Sequence, residues 1–217
     1  MISEAPAQGY DAAMGVYSRH VFPWVLEAVM AQRVLHRLRE EALEPAHGQV
    51  LEIGFGTGLN LPHYPGRVHR ITGVDSNPGV LRRARRRAAA SGIEVEHHGL
   101  SAEALPFPDA SFDTVVSTFT LCSIPDLGRA LAEVRRVLRP GGEFLFLEHG
   151  LAPEPAVAAW QRRLNPLWMK VGDGCHLDRD ATAEVSGAGF AIERVRSFYL
   201  PKSLKFAGYM YLGAARR

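Results

Sequence analysis

The chain has 217 residues, 47% hydrophobic and 22% charged, which is enough for one sizeable core and short for two. Its 25 Lys and Arg against 23 Asp and Glu leave a formal net charge of +2, too small a surplus to imply a nucleic-acid partner. The two cysteines, Cys122 and Cys175, lie far apart and in no metal-ligand spacing; this argues against a disulfide scaffold and a metal site and fits a reducing cytosol.

Met1 to Gly15 lacks the basic start and apolar run of a signal peptide, and no stretch approaches the ~18 consecutive apolar residues of a spanning helix. A soluble, cytoplasmic protein is expected. Tyr17 to Leu43 reads as one helix, with Val21, Phe22, Val25, Leu26, Val29, Val34, Leu35 and Leu38 at helical spacing; Pro45 marks its exit. Val50 to Ile53 is a short apolar strand running into Gly54-Phe55-Gly56-Thr57-Gly58. Val68 to Val74 is a second strand ending at Asp75. Asn77-Pro78 caps a helix that Ser91-Gly92 stops, and Ile93 to His97 is a third strand. Phe112 to Phe119 reads as a fourth strand. Asp126 opens a helix with Leu127, Ala130, Leu131, Val134, Val137 and Leu138 on one face; Pro140-Gly141-Gly142 breaks it before a strand over Glu143 to Leu147. Helices over Glu154 to Met169 and between Leu177 and Ala188, then strands near 190–199 and 206–214, complete the reading. Alternating strands and helices predict parallel βαβ units with helices on both faces. One domain is expected over 1–217: an N-terminal helical cap (1–45), a core that binds the cofactor (46–150), and acceptor-side helices with the last two strands (151–217).

The glycine loop carries the chemistry. Glycines let the backbone turn sharply and approach a ligand without an intervening Cβ. The carboxyl end of a strand is where ligands bind in open α/β sheets. The spacing is GxGxG, not the dinucleotide GxGxxG, and no Gly-Lys-Ser/Thr follows. A nucleoside ligand without a pyrophosphate fits, with Asp75 placed to accept from both ribose hydroxyls.

Val50 to Gly58 resembles motif I of class I S-adenosylmethionine-dependent methyltransferases. Gly73-Val74-Asp75, Ala102 to Phe107, and Leu138 to Gly142 are similar to that family's later motifs, over roughly residues 48 to 148. The resemblance implies a Rossmann-like, seven-stranded, mostly parallel sheet with an antiparallel last strand. It implies a cofactor set of Glu52 near the methionine ammonium, Gly54, Gly56 and Gly58, Asp75 and Ser76, Ser101 and Ala102 at the adenine, and Thr118. Many relatives have Asp where this chain has Ser101, a weaker acceptor, and Phe55 replaces a commonly smaller residue.

Leu121-Cys122-Ser123-Ile124, Glu148-His149, Asn165-Pro166 with Trp168, and Asp173-Gly174-Cys175 resemble a narrower group, the thiol S-methyltransferases and their bacterial relatives. That resemblance implies a small thiol acceptor. A thiol of pKa ~8.5 is only slightly ionised at neutral pH, so a modest base suffices. His149, at the end of a strand facing the crevice, is the first candidate; His176 and Asp173, on a Gly-rich loop, are the others. Each is also a plausible structural hydrogen-bonder. Cys122 reads as a small buried residue, and Trp160, Leu164, Trp168 and Met169 as core or as a wall of the acceptor pocket. Tyr10 and Tyr17 could cover the methionine end.

The arginine run Arg82 to Arg87, broken by Ala84, reads as a solvated helix face, so RNA methylation is the weakest alternative. Methylation of a quinone or a phospholipid headgroup shares the same motifs. Val21, Phe22 and Trp24 would then give weak peripheral bilayer contact, without stable insertion. A scaffold that binds the cofactor without turnover is the non-enzymatic alternative.

Overall fold

The computed structural model describes residues 22–217. Tyr10, Tyr17 and Val21 lie outside the described residues, as do the side chains of Phe22, Val25 and Leu26.

Two helices, α1 (Phe22–Met30) and α2 (Arg33–Leu43), lead into β1 (Val50–Ile53) and β2 (Arg70–Val74). The chain continues through α3 (Leu81–Ser91), β3 (Glu94–His98), β4 (Phe112–Thr118), α4 (Leu127–Val137) and β5 (Leu138–His149). Helices α5 (Pro155–Val171) and α6 (Ala181–Gly187) precede β6 (Ala191–Tyr199) and β7 (Tyr209–Arg216). The strands form a seven-stranded sheet of order β3-β2-β1-β4-β5-β7-β6. Strands β1 to β5 pair in parallel, and β7 runs antiparallel to both β5 and β6.

Successive side chains of a strand point to opposite faces, and both faces are covered. Leu51, Ile53, Val115, Phe144 and Phe146 pack with Leu131 and Val134 of α4 and Val185 of α6. Val50, Ile71, Val116 and Leu145 pack with Leu43 of α2 and Ala84 of α3. Further along the sheet, Leu35, Leu38 and Ala42 of α2 cover Leu147, Met210 and Leu212. The strand order reverses between β1 and β4. A crevice therefore opens outside their carboxyl ends, where the two crossover connections part in opposite directions.

The single helix expected over Tyr17 to Leu43 is interrupted within its described part. Gln32 takes an extended conformation (φ −72°, ψ 141°), and its side-chain amide donates to Val29 O at 2.9 Å. Apolar spacing continues across Ala31 and Gln32 and so hides the break. Strand β5 starts earlier than Glu143, because Leu138 pairs with Phe112 and the Pro140-Gly141-Gly142 segment is absorbed as an irregularity before Glu143 meets Thr114. Helix α5 buries Ala158, Gln161 and Asn165; of the residues read as core or pocket wall, Trp160 is exposed, while Leu164, Trp168 and Met169 are half-buried. The Gln161 amide donates to Gly150 O and Phe206 O and accepts from Ala152 N, pairing backbone groups of two loops. Among the described residues, no helix is long and apolar enough to cross a membrane.

Candidate active site

Strand β1 is wholly buried, and the chain leaves it through Gly54 at φ +68°. A Cβ there would lie 2.0 Å from Thr120 Oγ1, so the position admits glycine alone. The loop is pinned to β2 by bonds from Gly54 N and Phe55 N to Val74 O. Phe55 turns back over the sheet against Gly73, where an added Cβ would come within 2.7 Å of its ring, and meets His97 edge-on. The larger residue in the motif is thus accommodated by the absent side chain on β2. Gly56, in contrast, faces open space, its hypothetical Cβ meeting nothing nearer than Gly54 O at 3.8 Å.

Asp75 follows β2. Its Oδ2 accepts from Gly56 N and its Oδ1 from Asn77 N, both at 2.8 Å. Burial pushes its pKa up, and those two bonds oppose the rise. Each oxygen keeps capacity for a further donor. Asn77 caps the turn that opens α3 by accepting from Gly79 N.

The floor of the crevice is a buried polar network. Glu52 accepts from Asn60 Nδ2 at 2.9 Å and from the Tyr64 hydroxyl at 2.7 Å. Arg39, from α2, donates to Asn60 Oδ1 at 2.6 Å and to Thr118 Oγ1 at 3.0 Å. Burial raises Glu52 to a pKa of about 7, against the hydrogen bonds and the Arg39 charge that lower it. Burial likewise lowers Arg39 to about 10, so it stays a cation at neutral pH. Its Nε is buried with no hydrogen-bond partner among the described residues.

Around this floor lies a cleft of about 410 Å³, within the ~300–1,000 Å³ range of small-molecule sites. Glu52, Gly54, Gly56, Asp75, Ser76, Ser101, Ala102 and Thr118 line it; of the nine cofactor-side candidates, Gly58 does not. The Ser101 hydroxyl donates to Glu103 Oε2 at 3.0 Å and its oxygen accepts from Glu103 N at 3.2 Å, which leaves one lone pair for a further donor. Phe119 and Thr120 form another wall. Phe119 is held at φ +56°, and the fully buried Glu148 carboxylate fixes the turn by accepting from Ser117 Oγ and Thr120 N.

Helix α1 contributes Glu27 and Met30 to the cleft. Glu27 pairs with Arg83 and Arg87 of α3, Arg87 also donates to Thr57 O, and Arg83 stacks on Trp24 at 3.6 Å. Arg87 therefore ties α1 to the glycine loop, and Arg83 ties α1 to α3; Arg82, Arg85 and Arg86 are exposed.

Of the three candidate bases, Asp173 lines the cleft, and His149 and His176 do not. His149 Nε2 lies 3.0 Å from Cys175 Sγ. His176 faces Asn165 Nδ2 at 3.3 Å and Asp178 at 3.7 Å, and its pKa is lowered by burial and by Arg179. The loop bearing Asp173 and Gly174 is docked: His176 N donates to Cys122 O, and Arg179 donates to Leu121 O and Ile124 O. Contact with Cys122 and burial push the Cys175 thiol up. Arg39, Asn60 and Tyr64 are site residues that the motifs did not indicate. A buried cation flanked by a carboxylate, an open Gly56 and an acceptor pair at Asp75 together fit a zwitterionic amino acid joined to a nucleoside.

Comparison with known proteins places the chain among methyltransferases. A family model described as a methyltransferase domain matches residues 51–146. A thiol S-methyltransferase of Homo sapiens is 34% identical over 79% of this chain and 72% of its own length. A phosphatidylethanolamine N-methyltransferase of Cereibacter sphaeroides is 40% identical over 68% of this chain and 67% of its own. The chain spans 59% to 64% of the length of the first curated relatives it matches. In fold it is similar to the S-adenosylmethionine-dependent methyltransferase of Mesorhizobium loti, with a TM-score of 0.63 and 21% identity over 86% of this chain and 99% of that one. The chain belongs to the S-adenosylmethionine-dependent methyltransferase family.

Proposed function

We propose that this protein transfers the methyl group of S-adenosylmethionine to a small thiol. The observation that carries the reading is the convergence of Glu52, Arg39 and Asp75 on one cleft at the switch point of the sheet. In this reading Asp75 accepts from the ribose hydroxyls, Ser101 and Ala102 flank the adenine, and Glu52 faces the methionine ammonium. Arg39 offers its unpaired Nε side to the methionine carboxylate. Bound there, the cofactor supplies an electrophilic methyl on a sulfonium.

The chain's own contribution is to position the acceptor and to exclude water from it. Phe119, Ile124 and Pro125 provide an apolar wall beside Thr120 and Ser123. As the acceptor sulfur takes the methyl, its proton is released, and Asp173 is the candidate acceptor that lines the cleft. The similarity to a thiol S-methyltransferase over 79% of the chain supports sulfur as the acceptor atom.

A second reading, transfer to the amine of a phospholipid headgroup, is favoured by the 40% identity to a phosphatidylethanolamine N-methyltransferase. Purified protein with methyl-labelled cofactor, offered a panel of alkyl thiols and, separately, phosphatidylethanolamine vesicles, tests both. Labelled thioether from the thiols, with none in lipid, is the expected result. Labelled lipid alone would replace the thiol reading, and cofactor binding without product from either would favour a scaffold.

A further inference from the structure

Cys122, His149 and Cys175 come from three separate places: the turn after β4, the last residue of β5, and the loop after α5. Among the described residues, they are the group of His, Cys, Asp and Glu side chains that gathers with metal-ligand geometry, their ligand atoms all within 4.8 Å of one another. Cys122 is buried, and the other two are partly so. We propose that these three residues bind a thiophilic divalent cation of the zinc class, independently of which acceptor the enzyme uses.

The donor set is the first argument. Two thiolates and an imidazole are soft to borderline ligands, a combination that selects zinc over magnesium or calcium. Two thiolates also cancel the charge of a divalent ion, so the complex can sit in a partly buried place without a net charge to solvate.

The surroundings are the second argument. Trp168 Nε1–H donates to Cys175 Sγ at 3.3 Å, the kind of outer hydrogen bond that orients a sulfur ligand and stabilises its charge. The loop holding Cys175 is fixed on both sides, by Gly174 N to Met169 O and His176 N to Cys122 O, each at 2.8 Å. Asn165 adds a third tie by accepting from Leu177 N. The ligands are therefore brought together by contacts that do not depend on the metal.

Geometry sets one requirement. With Zn–S of ~2.3 Å and Zn–N of ~2.0 Å, a tetrahedral ion holds sulfur and nitrogen ~3.6 Å apart. The 3.0 Å contact between His149 Nε2 and Cys175 Sγ must then open by roughly half an ångström, the His149–Cys175 hydrogen bond giving way to two metal bonds. Such an ion would clamp the segment bearing Asp173 and Gly174, both cleft residues, to the ends of β4 and β5.

The test uses the full chain, stripped with chelator and kept fully reduced. Titration with Co²⁺ should give one equivalent of binding, with a thiolate-to-cobalt charge-transfer band and tetrahedral d–d bands that Zn²⁺ abolishes. Zn²⁺ should also protect both cysteines from a thiol reagent. Cys175→Ser and His149→Ala should each weaken zinc binding by roughly 100-fold or more, beyond what loss of an outer contact causes. If either variant fails to fold, the thiol-protection measurement on the native chain decides. The proposal is overturned if the reduced protein takes up no metal, whether or not the two sulfurs then join as a disulfide in air. It is equally overturned if Cys122→Ser/Cys175→Ser binds zinc as tightly as the native chain.

Discussion

Asp75 Oδ2 accepts from the backbone N–H of Gly56 at 2.8 Å, so the carboxylate that ends β2 also fixes the turn that leaves β1. On the proposed reading, replacing Asp75 removes both a ligand contact and the anchor of the loop. Asp75→Ala should weaken S-adenosylmethionine binding by at least ~100-fold, taking ~1.5–3 kcal/mol for each hydrogen bond to a charged group. Calorimetry on cofactor-stripped protein measures it; a change below about threefold would remove Asp75 from the site.

If Glu52 faces the methionine ammonium, binding should depend on pH. Burial holds its pKa at about 7 in the folded chain, and a neighbouring ammonium favours the ionised form. Cofactor affinity should therefore rise from acid pH up to about 7, with a proton released on binding below that point. Binding enthalpies in two buffers of different ionisation heat count that proton. Glu52→Gln should bind weakly and without the release.

Two glycines of the loop should separate stability from binding. Gly54→Ala places a methyl 2.0 Å from Thr120 Oγ1 at φ +68°, and thermal unfolding should show a loss of several kcal/mol. Gly56→Ala meets no such clash and carries only the ~1–2 kcal/mol of a left-handed alanine, yet its methyl enters the cleft. A stability loss confined to that ~1–2 kcal/mol, with at least about tenfold weaker cofactor binding, is expected for it. Equal destabilisation by the two would contradict the geometry.

Acid sensitivity should trace in large part to His97, with His63 and His176 shifted in the same direction. Burial, with His98 and Arg85 nearby, lowers its pKa from 6.5 to about 4, so the folded chain keeps it neutral. The unfolded chain binds that proton first, and stability should be lost as pH falls from 6.5 towards 4, by about 3 kcal/mol in all. Glu52 acts in the opposite sense, its raised pKa costing stability as pH climbs from 4.5 to about 7. Denaturant melts of His97→Leu against the native chain isolate the first effect. The variant should show a flatter acid limb.

Much of this architecture was legible because it is encoded locally. The apolar strand before three spaced glycines, and the carboxylate ending the next strand, set backbone geometry within a few residues. Arg39, Asn60 and Tyr64 were not legible. Each occupies an ordinary polar or aromatic position, and only the packing of α2 and the post-loop turn onto β1 brings them to Glu52. Cys122, His149 and Cys175 likewise meet across spacings of 27 and 26 residues that match no ligand motif. Helix α5 misled in part: Trp160 looks like core yet is exposed, and the most buried positions include Gln161 and Asn165, whose amides serve loop backbones.

Arg39 stands twelve positions ahead of residue 51, where the conserved-domain match starts. A fragment trimmed to that match would keep the glycine turn and Asp75 while stranding the Glu52 carboxylate without its counter-cation. Expression trials that cut before Val50 would be poor surrogates for the enzyme, since the helix they discard supplies the cation that reaches Glu52 across Asn60.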